Sequence, residues 1–260
     1  MKTYTKESLI AELHEIREQG WIKSTRPGND GAVGNTLEDL LGIVENNLPV
    51  PNAAEWELKA QRIDTTSLTT LFHMEPSPTA LKFVPQILLP NYGWKHQQAG
   101  MRYPAGEKSF RQTINARNHS DRGFMVVVDR KRRRIEVSFI ASGIDTKHKA
   151  WKDAVSKRVG LGQLSPQPYW GFEDLFHKVG AKLHNCFFVR ALRKKEAGVE
   201  FFHYKEIYML KQISLEGLIS TIEAGEIYVD FDARTGHNHG TKFRIHQARI
   251  MNLYQERTKL

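Results

Sequence analysis

The sequence predicts a mixed α/β fold, in which helices flank a central mixed sheet. Two observations support this class. Apolar residues recur at helical spacing in several segments, and short apolar or alternating segments typical of strands stand between and after them. The chain has 260 residues, of which 40% are hydrophobic, so it can bury one large core or a core with an added lobe.

The first element is predicted to be a helix over residues 6–19. Leu9 and Leu13 belong to its apolar stripe, and Gly20 ends it. A glycine-rich loop over residues 21–34 follows, because glycines recur there without apolar periodicity.

A second helix is predicted to begin near Thr36, which can act as its N-cap. Glu38 and Asp39 would then stand in the first turn, where acidic side chains interact favourably with the helix dipole. Pro49 and Pro51 break the chain before the next strand.

The remainder of the chain alternates between predicted strands and helices. Phe124 and Ile140 bound a predicted hairpin with a basic tip, and residues 76–108 are predicted to form loops and short elements. Residues 68–72 form a further apolar segment. The other predicted strands cover residues 185–192, 200–204, 227–231 and 241–245, and the other predicted helices cover residues 172–183 and 215–224.

The charge of the chain predicts a polyanionic partner. Its net charge is +9 with a pI near 9.5, and the segment from Arg102 to Arg134 holds ten Lys and Arg against three Asp and Glu. Clustered cations neutralise phosphates, so nucleic acid is the favoured partner over an acidic membrane surface, with a merely solvated basic face as the alternative. Aromatic residues beside the cluster could stack on bases or pack in the protein: Tyr92, Trp94 and Tyr103.

Two absences bear on location. The sequence shows no apolar run of transmembrane length and no signal-peptide pattern over residues 1–20. Cys186 is the single cysteine, which excludes an internal disulfide and is typical of a reducing compartment. The sequence therefore predicts a cytoplasmic protein that does not act in a membrane.

The segment from Pro51 to Lys59 carries the chemistry. If it runs into a strand, Glu57 and Lys59 share one face, while Trp56 and Leu58 share the other. The carboxylate can hold a divalent metal, and the ammonium can orient or activate a water. The alternative is an exposed strand ion pair of small stabilising value.

Four ordered motifs resemble those of the MvaI/BcnI-like restriction endonucleases, relatives of the mismatch-repair nicking enzyme MutH in the PD-(D/E)xK nuclease superfamily. The similarity runs from about residue 21 to residue 245. The motifs are the glycine loop and helix from Gly28 to Gly42, Glu45-Asn46-Asn47, Glu57-Leu58-Lys59-Ala60, and the late run from Gly236 to Ile245.

This resemblance implies a restriction-endonuclease-like core whose two lobes form a DNA cleft. It implies a single nuclease domain over residues 1–260. The catalytic lobe would comprise approximately residues 1–75 with parts of 110–190, and the DNA-recognition lobe approximately residues 76–110 and 205–250. The expected protein is a bacterial, monomeric, Mg²⁺-dependent endonuclease that cuts double-stranded DNA at short pseudosymmetric sites of the CCNGG type, one strand at a time, alongside a cognate DNA methyltransferase.

The resemblance also assigns catalytic roles. Glu57 matches the metal-binding glutamate, Lys59 the catalytic lysine, and Glu38 a helix glutamate that borders the site, with a solvent-facing Glu38 as the alternative. Asn52 stands where the family's metal-binding aspartate is normal. An amide brings no negative charge, so weaker metal affinity and slower cutting are expected unless Glu55 or Glu38 substitutes.

Asn52 leaves three alternatives open. It is a natural variant of an active enzyme, an engineered substitution that traps uncut DNA, or the mark of a member that binds DNA without cutting. A MutH-like nicking endonuclease of repair is the further alternative to a restriction enzyme.

The recognition residues follow from the same comparison. His237, His239 and Arg244 match recognition positions, and Asn238 stands where a relative can carry aspartate. Histidine and arginine can read guanine acceptors in the major groove, which favours Arg244 as the guanine reader and Arg234 as a second one. His237 and His239 could instead ligate zinc, but a zinc site normally needs three or four protein ligands.

Two further groups of residues are candidates for DNA contact. Asp230 and Asp232 could accept hydrogen bonds from cytosine amino groups or simply end a strand. The basic hairpin tip over residues 129–134 is expected to contact phosphates outside the target bases. Its candidate residues are Arg130, Lys131 and Arg132.

Overall fold

A computed structural model of the chain describes residues 4–26, 28, 31–43, 56–63 and 65–260. Within these residues the chain forms six α-helices and fourteen strands, in the mixed α/β arrangement that the sequence predicts. The helices are α1 (Lys6–Glu18), α2 (Ala32–Leu41), α3 (Leu89–Tyr92), α4 (Lys149–Val159), α5 (Phe172–Leu183) and α6 (Leu215–Glu223).

The strands follow the same numbering along the chain. They are β1 (Ile22–Lys23), β2 (Glu57–Arg62), β3 (Leu68–His73), β4 (Trp94–Lys95), β5 (Lys108–Ile114), β6 (Arg122–Asp129), β7 (Arg134–Ile144), β8 (Tyr169–Gly171), β9 (Asn185–Glu196), β10 (Val199–Ile213), β11 (Ile227–Arg234), β12 (His237–Asn238), β13 (Lys242–His246) and β14 (Tyr254–Lys259). The helices and strands form two compact units, each with its own sheets.

The first unit comprises the described residues of Met1–Ser67 together with Val179–Ser214 and Gln247–Leu260. Its five-stranded sheet has the order β1-β10-β9-β2, and β14 also pairs with β10. β2 runs parallel to β9, whereas the other pairings are antiparallel, so the sheet is mixed. Helices α1 and α2 pack on one face of this sheet in a common apolar core.

Helix α1 confirms the first predicted helix. A capping box between Thr5 and Ser8 satisfies its free N-terminal amides. Leu9, Leu13 and Ile16 form its buried stripe, because they recur at helical spacing.

Helix α2 corrects the predicted start of the second helix. It begins at Ala32 after Gly31, so Thr36 lies fully buried in its middle and Glu38 lies in its last turn rather than its first. The buried stripe begins with Ala32 and Val33, one turn before Thr36, and burial of that apolar turn outweighs the capping preference of a threonine.

The second unit comprises Leu68–Lys178 and Leu215–His246. Its larger sheet has the order β3-β13-β11-β5-β4, with β12 pairing onto β11, and all of its pairings are antiparallel. Its smaller sheet has the order β6-β7-β8, and the β6–β7 hairpin confirms the predicted hairpin with a basic tip.

Most predicted segments are present, but the sequence patterns missed several elements. Strands β9 and β10 are longer than predicted, because β9 continues to Glu196 and β10 continues to Ile213. Helix α4 was missed because Val155 is its single buried residue, which gives almost no periodic signal. Strands β5, β8 and β14 were also missed.

The division into a catalytic lobe and a recognition lobe stays a prediction. Of the ranges predicted to serve recognition, residues 76–110 belong to the second unit, whereas residues 205–214 and 247–250 belong to the first. Among the described residues, no helix is long and apolar enough to cross a membrane.

Candidate functional site

Strand β2 places Glu57 and Lys59 on one face, as predicted. Lys59 Nζ donates to Glu57 Oε1 at 3.0 Å, and the side chains of Lys59 and Glu57 are 16% and 3% exposed. Trp56 and Leu58 point to the other face and join the apolar core under α1 and α2. The alternating strand geometry thus separates chemistry from packing within four consecutive residues.

The burial of this pair decides against an exposed strand ion pair. The ions of a surface pair keep most of their hydration. A buried carboxylate and ammonium lose theirs, and their mutual attraction offsets that desolvation cost only in part. A charged pair inside a strand that has ample apolar partners is therefore better explained by chemistry than by stability. Glu57 also makes a further interaction besides its bond to Lys59.

Neutral groups line the sheet next to Glu57. In the parallel register Glu57 lies opposite Cys186, whose pKa burial raises to about 12. Burial also raises the pKa of the Tyr254 phenol. Both groups are uncharged near pH 7, so neither competes with Glu57 for a cation.

Gln61 extends the polar row of β2 beyond Lys59, and the sequence analysis did not single it out. Alternation puts Gln61 on the same face as Glu57 and Lys59. Its side chain is buried, at 2% exposure, and its Oε1 accepts no hydrogen bond from the residues that the structure describes. The spacing of two residues from Lys59 predicts that Gln61 shares the face of Glu57 and Lys59, but it does not predict that Gln61 is buried.

The catalytic roles of Glu38 and Asn52 stay predictions. Glu38 is half-buried near the C-terminal end of α2, and its role stays a prediction. Asn52 lies outside the described residues, as do Glu55 and residues 45–47.

The larger sheet of the second unit separates an apolar face from a polar face. Along β11 the side chains of Ile227, Val229, Phe231 and Ala233 are buried, and the residues between them are partly exposed. The polar face collects charged side chains from β5, β11 and β13: Arg111, Asp230, Asp232, Arg234, Lys242 and Arg244.

Asp230 and Asp232 are held by cations and hydroxyls on neighbouring strands. Asp230 accepts from Thr113 Oγ1 at 2.8 Å and from Arg244 Nη1 at 3.2 Å. Asp232 accepts from Arg111 Nε at 2.7 Å. Both aspartates lie inside β11, so the alternative that they merely end a strand is wrong.

The two predicted guanine readers are partly engaged within the protein. Arg244 donates through Nη2 to the Leu68 carbonyl at 3.0 Å, in addition to its bond to Asp230. Its buried Nε finds no acceptor among the described residues. Arg234 donates to Glu107 at 3.2 Å, and its guanidinium lies 4.7 Å from the Tyr103 ring centroid.

The segment from His237 to Thr241 comprises strand β12 and the turn that leads to β13. The His237 and His239 rings lie edge to face, with 3.3 Å between Nε2 of His237 and Nδ1 of His239. The other side chains of the turn bind Glu75, a residue that carries no recognisable sequence signal. Among the described residues, no group of three or more His, Cys, Asp and Glu could hold a metal ion.

The basic hairpin tip contains both neutralised and exposed cations. Arg130 bonds Glu223 at 2.7 Å and Glu216 at 3.0 Å, and these bonds raise its pKa. Arg132 is 65% exposed and lies 3.6 Å from Asp129. Lys131 is exposed. Lys131 and Arg132 are therefore exposed, whereas Arg130 is bound by two carboxylates, and contact of these residues with DNA stays a prediction.

The aromatic residues beside the basic segment pack within the protein. Tyr92 is buried against Phe124 and Phe139. Trp94 lies under the Arg122 guanidinium, with 3.9 Å to its ring centroid. Of the two alternatives for these residues, packing is correct for Tyr92.

Comparisons with known proteins agree with this fold. The model of the MvaI/BcnI restriction endonuclease family matches residues 10–254 of the chain. Similar solved structures include restriction endonuclease MvaI in complex with its cognate DNA substrate, with a TM-score of 0.75, 22% identity and 99% of each chain covered. They also include MvaI without DNA, with a TM-score of 0.55, 20% identity, and coverage of 100% of this chain and 99% of that one. At these identities the two structures establish the restriction-endonuclease-like fold alone. A comparison with curated proteins gave no match.

Proposed function

The chain belongs to the MvaI/BcnI restriction endonuclease family, and we propose that it hydrolyses double-stranded DNA at a specific sequence with Mg²⁺ as its cofactor. The single observation that carries this proposal is the buried Glu57–Lys59 pair on strand β2, with 3.0 Å between Lys59 Nζ and Glu57 Oε1. This pair has the acid and the amine that metal-assisted phosphodiester hydrolysis needs.

The donor chemistry of the chain fits Mg²⁺. Mg²⁺ prefers hard oxygen ligands, and Glu57 supplies a carboxylate in a setting where Cys186 and Tyr254 stay neutral. We propose that Asn52 contributes its carbonyl oxygen, with Glu55 or Glu38 as the carboxylate that makes up for the missing charge. When bound, Mg²⁺ would act as a Lewis acid on the scissile phosphate and lower the pKa of a bound water.

Lys59 would act at the attacking side of the reaction. Its bond to Glu57 fixes the ammonium within a mostly buried site, so that it can donate to the attacking water or to a phosphate oxygen. The water would lose a proton to solvent as its oxygen bonds to phosphorus, while the bond from phosphorus to the departing sugar oxygen breaks and a solvent water gives that oxygen a proton. The ammonium would stabilise the negative charge that develops on the phosphate oxygens.

Sequence recognition would use the polar face of the second unit. Arg244 and Arg234 are the proposed guanine readers, Asp230 is a proposed acceptor for a cytosine amino group, and His237 and His239 are proposed base or phosphate contacts. The internal bonds of Arg244 and Asp230 support this proposal, because a reader held by its neighbour keeps the orientation that base recognition requires.

The family resemblance supports proposals about the target site, the order of cutting, the oligomeric state and the partner enzyme. The target would be a short pseudosymmetric site of the CCNGG type, cut one strand at a time by a monomer in the bacterial cytoplasm. A DNA methyltransferase of matching specificity would protect the host DNA.

Asn52 supports a second candidate function. An amide in place of the usual aspartate would weaken metal binding, so the chain could be a DNA-binding member with weakened or lost cleavage. A MutH-like strand-nicking endonuclease of repair is the other alternative.

One experiment separates these functions. Plasmid DNA with many potential sites is incubated with the protein in Mg²⁺ or in EDTA, and the fragment ends are sequenced. Discrete fragments in Mg²⁺ alone support the restriction endonuclease, nicked circles alone support the repair nickase, and a gel shift without breakage supports the silent binder.

Two variants test whether Glu57 and Lys59 form the catalytic site. Lys59→Ala and Glu57→Gln should each abolish cleavage while DNA binding persists, because they remove the proposed reacting groups and leave the second unit intact. Asp153→Asn is the matched control, since Asp153 is an exposed acid of α4. Cleavage that survives in both β2 variants would contradict the proposed site.

A further inference from the structure

We propose that Glu75 positions the recognition turn, residues 237–241, and thereby sets the sequence discrimination of the enzyme. Glu75 lies two residues beyond the end of β3 and belongs to the same unit as the turn. The inference rests on the proposed function, because it assigns a role in reading the DNA target.

The carboxylate of Glu75 binds both ends of the turn. Oε1 accepts from the Thr241 backbone N–H at 2.9 Å and from Asn238 Nδ2 at 3.3 Å, and Oε2 accepts from Thr241 Oγ1 at 3.2 Å. Thr241 is fully buried, so one end of the arrangement is anchored in the protein. A single side chain therefore fixes the separation between residues 238 and 241.

Backbone bonds complete the frame of the turn. Met74 N–H donates to the Thr241 carbonyl at 2.9 Å, and His239 N–H donates to the Asp232 carbonyl at 3.0 Å. Gly240 has a φ of +82°, a conformation that suits glycine. The two histidine rings project from a backbone that is held on both sides.

The same contacts assign a structural role to Asn238. Its Nδ2 binds Glu75, and its Oδ1 accepts from the Gly240 N–H at 3.1 Å. The amide thus donates one hydrogen bond and accepts another inside the turn, so the side chain shapes the turn. An aspartate at this position would set a second carboxylate against Glu75, which is unfavourable at close range.

The test measures cleavage of defined duplexes. End sequencing of fragments from the wild type first gives the target site. Then kcat/KM is measured on duplexes with that site and on duplexes with single base-pair changes. Glu75→Ala should lower kcat/KM for the target about tenfold or more and reduce the preference for it over changed sites. Glu75→Gln should stay within about threefold of wild type, because its amide still accepts at Oε1 and can donate to Thr241.

A double-mutant cycle tests the contact between Glu75 and Asn238. Asn238→Asp should reduce kcat/KM about tenfold in the wild type but clearly less in the Glu75→Gln background, where carboxylate repulsion is absent. Asp153→Asn serves as a charge-matched control, and thermal denaturation of each variant reports its folding. A purely structural role for Glu75 would lower the melting temperature and leave the preference between sites unchanged.

Two results would overturn the inference. One is unchanged discrimination in folded Glu75→Ala. The other is an equal effect of Asn238→Asp in both backgrounds. If the wild type binds but does not cut, the proposed cleavage fails on its own, and the same variants are compared by the preference of their binding to duplexes selected from a random library. A wild type with neither cleavage nor sequence preference overturns both proposals.

Discussion

At the scale of single residues, burial of the Glu57–Lys59 pair costs desolvation free energy, although the pair offers the charged groups that the proposed chemistry needs. Glu57 is almost fully buried and Lys59 is mostly buried, so both are desolvated in the folded protein. Removing one member of such a pair typically lowers the free energy of unfolding by about 3–5 kcal/mol, whereas replacing both members by uncharged groups often leaves it nearly unchanged. The pair is therefore expected to be retained for what it does rather than for the stability it adds.

The first prediction tests this conflict. Lys59→Met should lower the free energy of unfolding markedly, because it removes the ammonium from a buried carboxylate. The double variant Glu57→Gln/Lys59→Met should recover much of that stability while it stays inactive. Chemical denaturation and plasmid cleavage together check this outcome. A double variant less stable than Lys59→Met would show that the pair is mainly structural.

The second prediction concerns Asn52. Asn52→Asp should preserve or raise Mg²⁺-dependent cleavage, because a carboxylate adds the negative charge that an amide lacks. The measurement is the cleavage rate at several Mg²⁺ concentrations, where the variant should saturate at lower Mg²⁺. The control is Asn52→Ala, which should cut more slowly than the wild type. A large loss of activity in Asn52→Asp would contradict the assignment of Asn52 to the metal.

At the scale of elements, the hairpin between β6 and β7 shows how tertiary contacts redistribute a charge run. Arg130 is bound by two glutamates of α6, and Arg133 is paired with Glu173 of α5. Lys131 and Arg132 keep their side chains largely in solvent. A run of five cations, residues 130–134, therefore contains both paired and exposed side chains.

The third prediction compares two cations of this hairpin. Lys131→Ala should reduce the slope of log K against log salt by about 1, as expected for one lost phosphate contact. Arg130→Ala should leave that slope nearly unchanged, because the charge of Arg130 is already offset by Glu216 and Glu223. Fluorescence anisotropy with a labelled duplex, without Mg²⁺, measures both slopes. An equal loss in the two variants would show that the ion pairs of Arg130 open when DNA binds.

At the scale of the whole molecule, the net charge of +9 belongs to a fold whose second unit has a polar sheet face. The basic segment between Arg102 and Arg134 lies wholly in the second unit, where acids on neighbouring strands and helices pair with several of its cations. The remaining exposed cations are expected to govern DNA affinity through release of counterions.

The fourth prediction is a steep dependence of binding on salt. If about six phosphates are neutralised, log K should fall with log salt with a slope of about −5. The slope should be similar for target and non-target duplexes, because phosphate contacts carry no sequence information. Anisotropy titrations between low and moderate salt measure it. A slope near zero would exclude the proposed electrostatic mode of binding.

The sequence by itself determined the class of fold, most helices and strands, and the pairing of Glu57 with Lys59. These features depend on local periodicity: the two-residue repeat of a strand places two polar residues on one face whatever surrounds it. The family motifs, which occur in a fixed order along the chain, determined the family in the same way.

Only the tertiary structure decided which polar groups are buried and which are bound by residues far away in the chain. Burial converts Glu57 and Lys59 from an ordinary strand pair into a desolvated site, and contacts distant in sequence bring Glu75 to Asn238 and Glu216 to Arg130. Helix α2 begins a turn earlier than its cap signal because its apolar stripe reaches the core there. Such outcomes depend on contacts between residues far apart in the chain, and local patterns contain no information about those contacts.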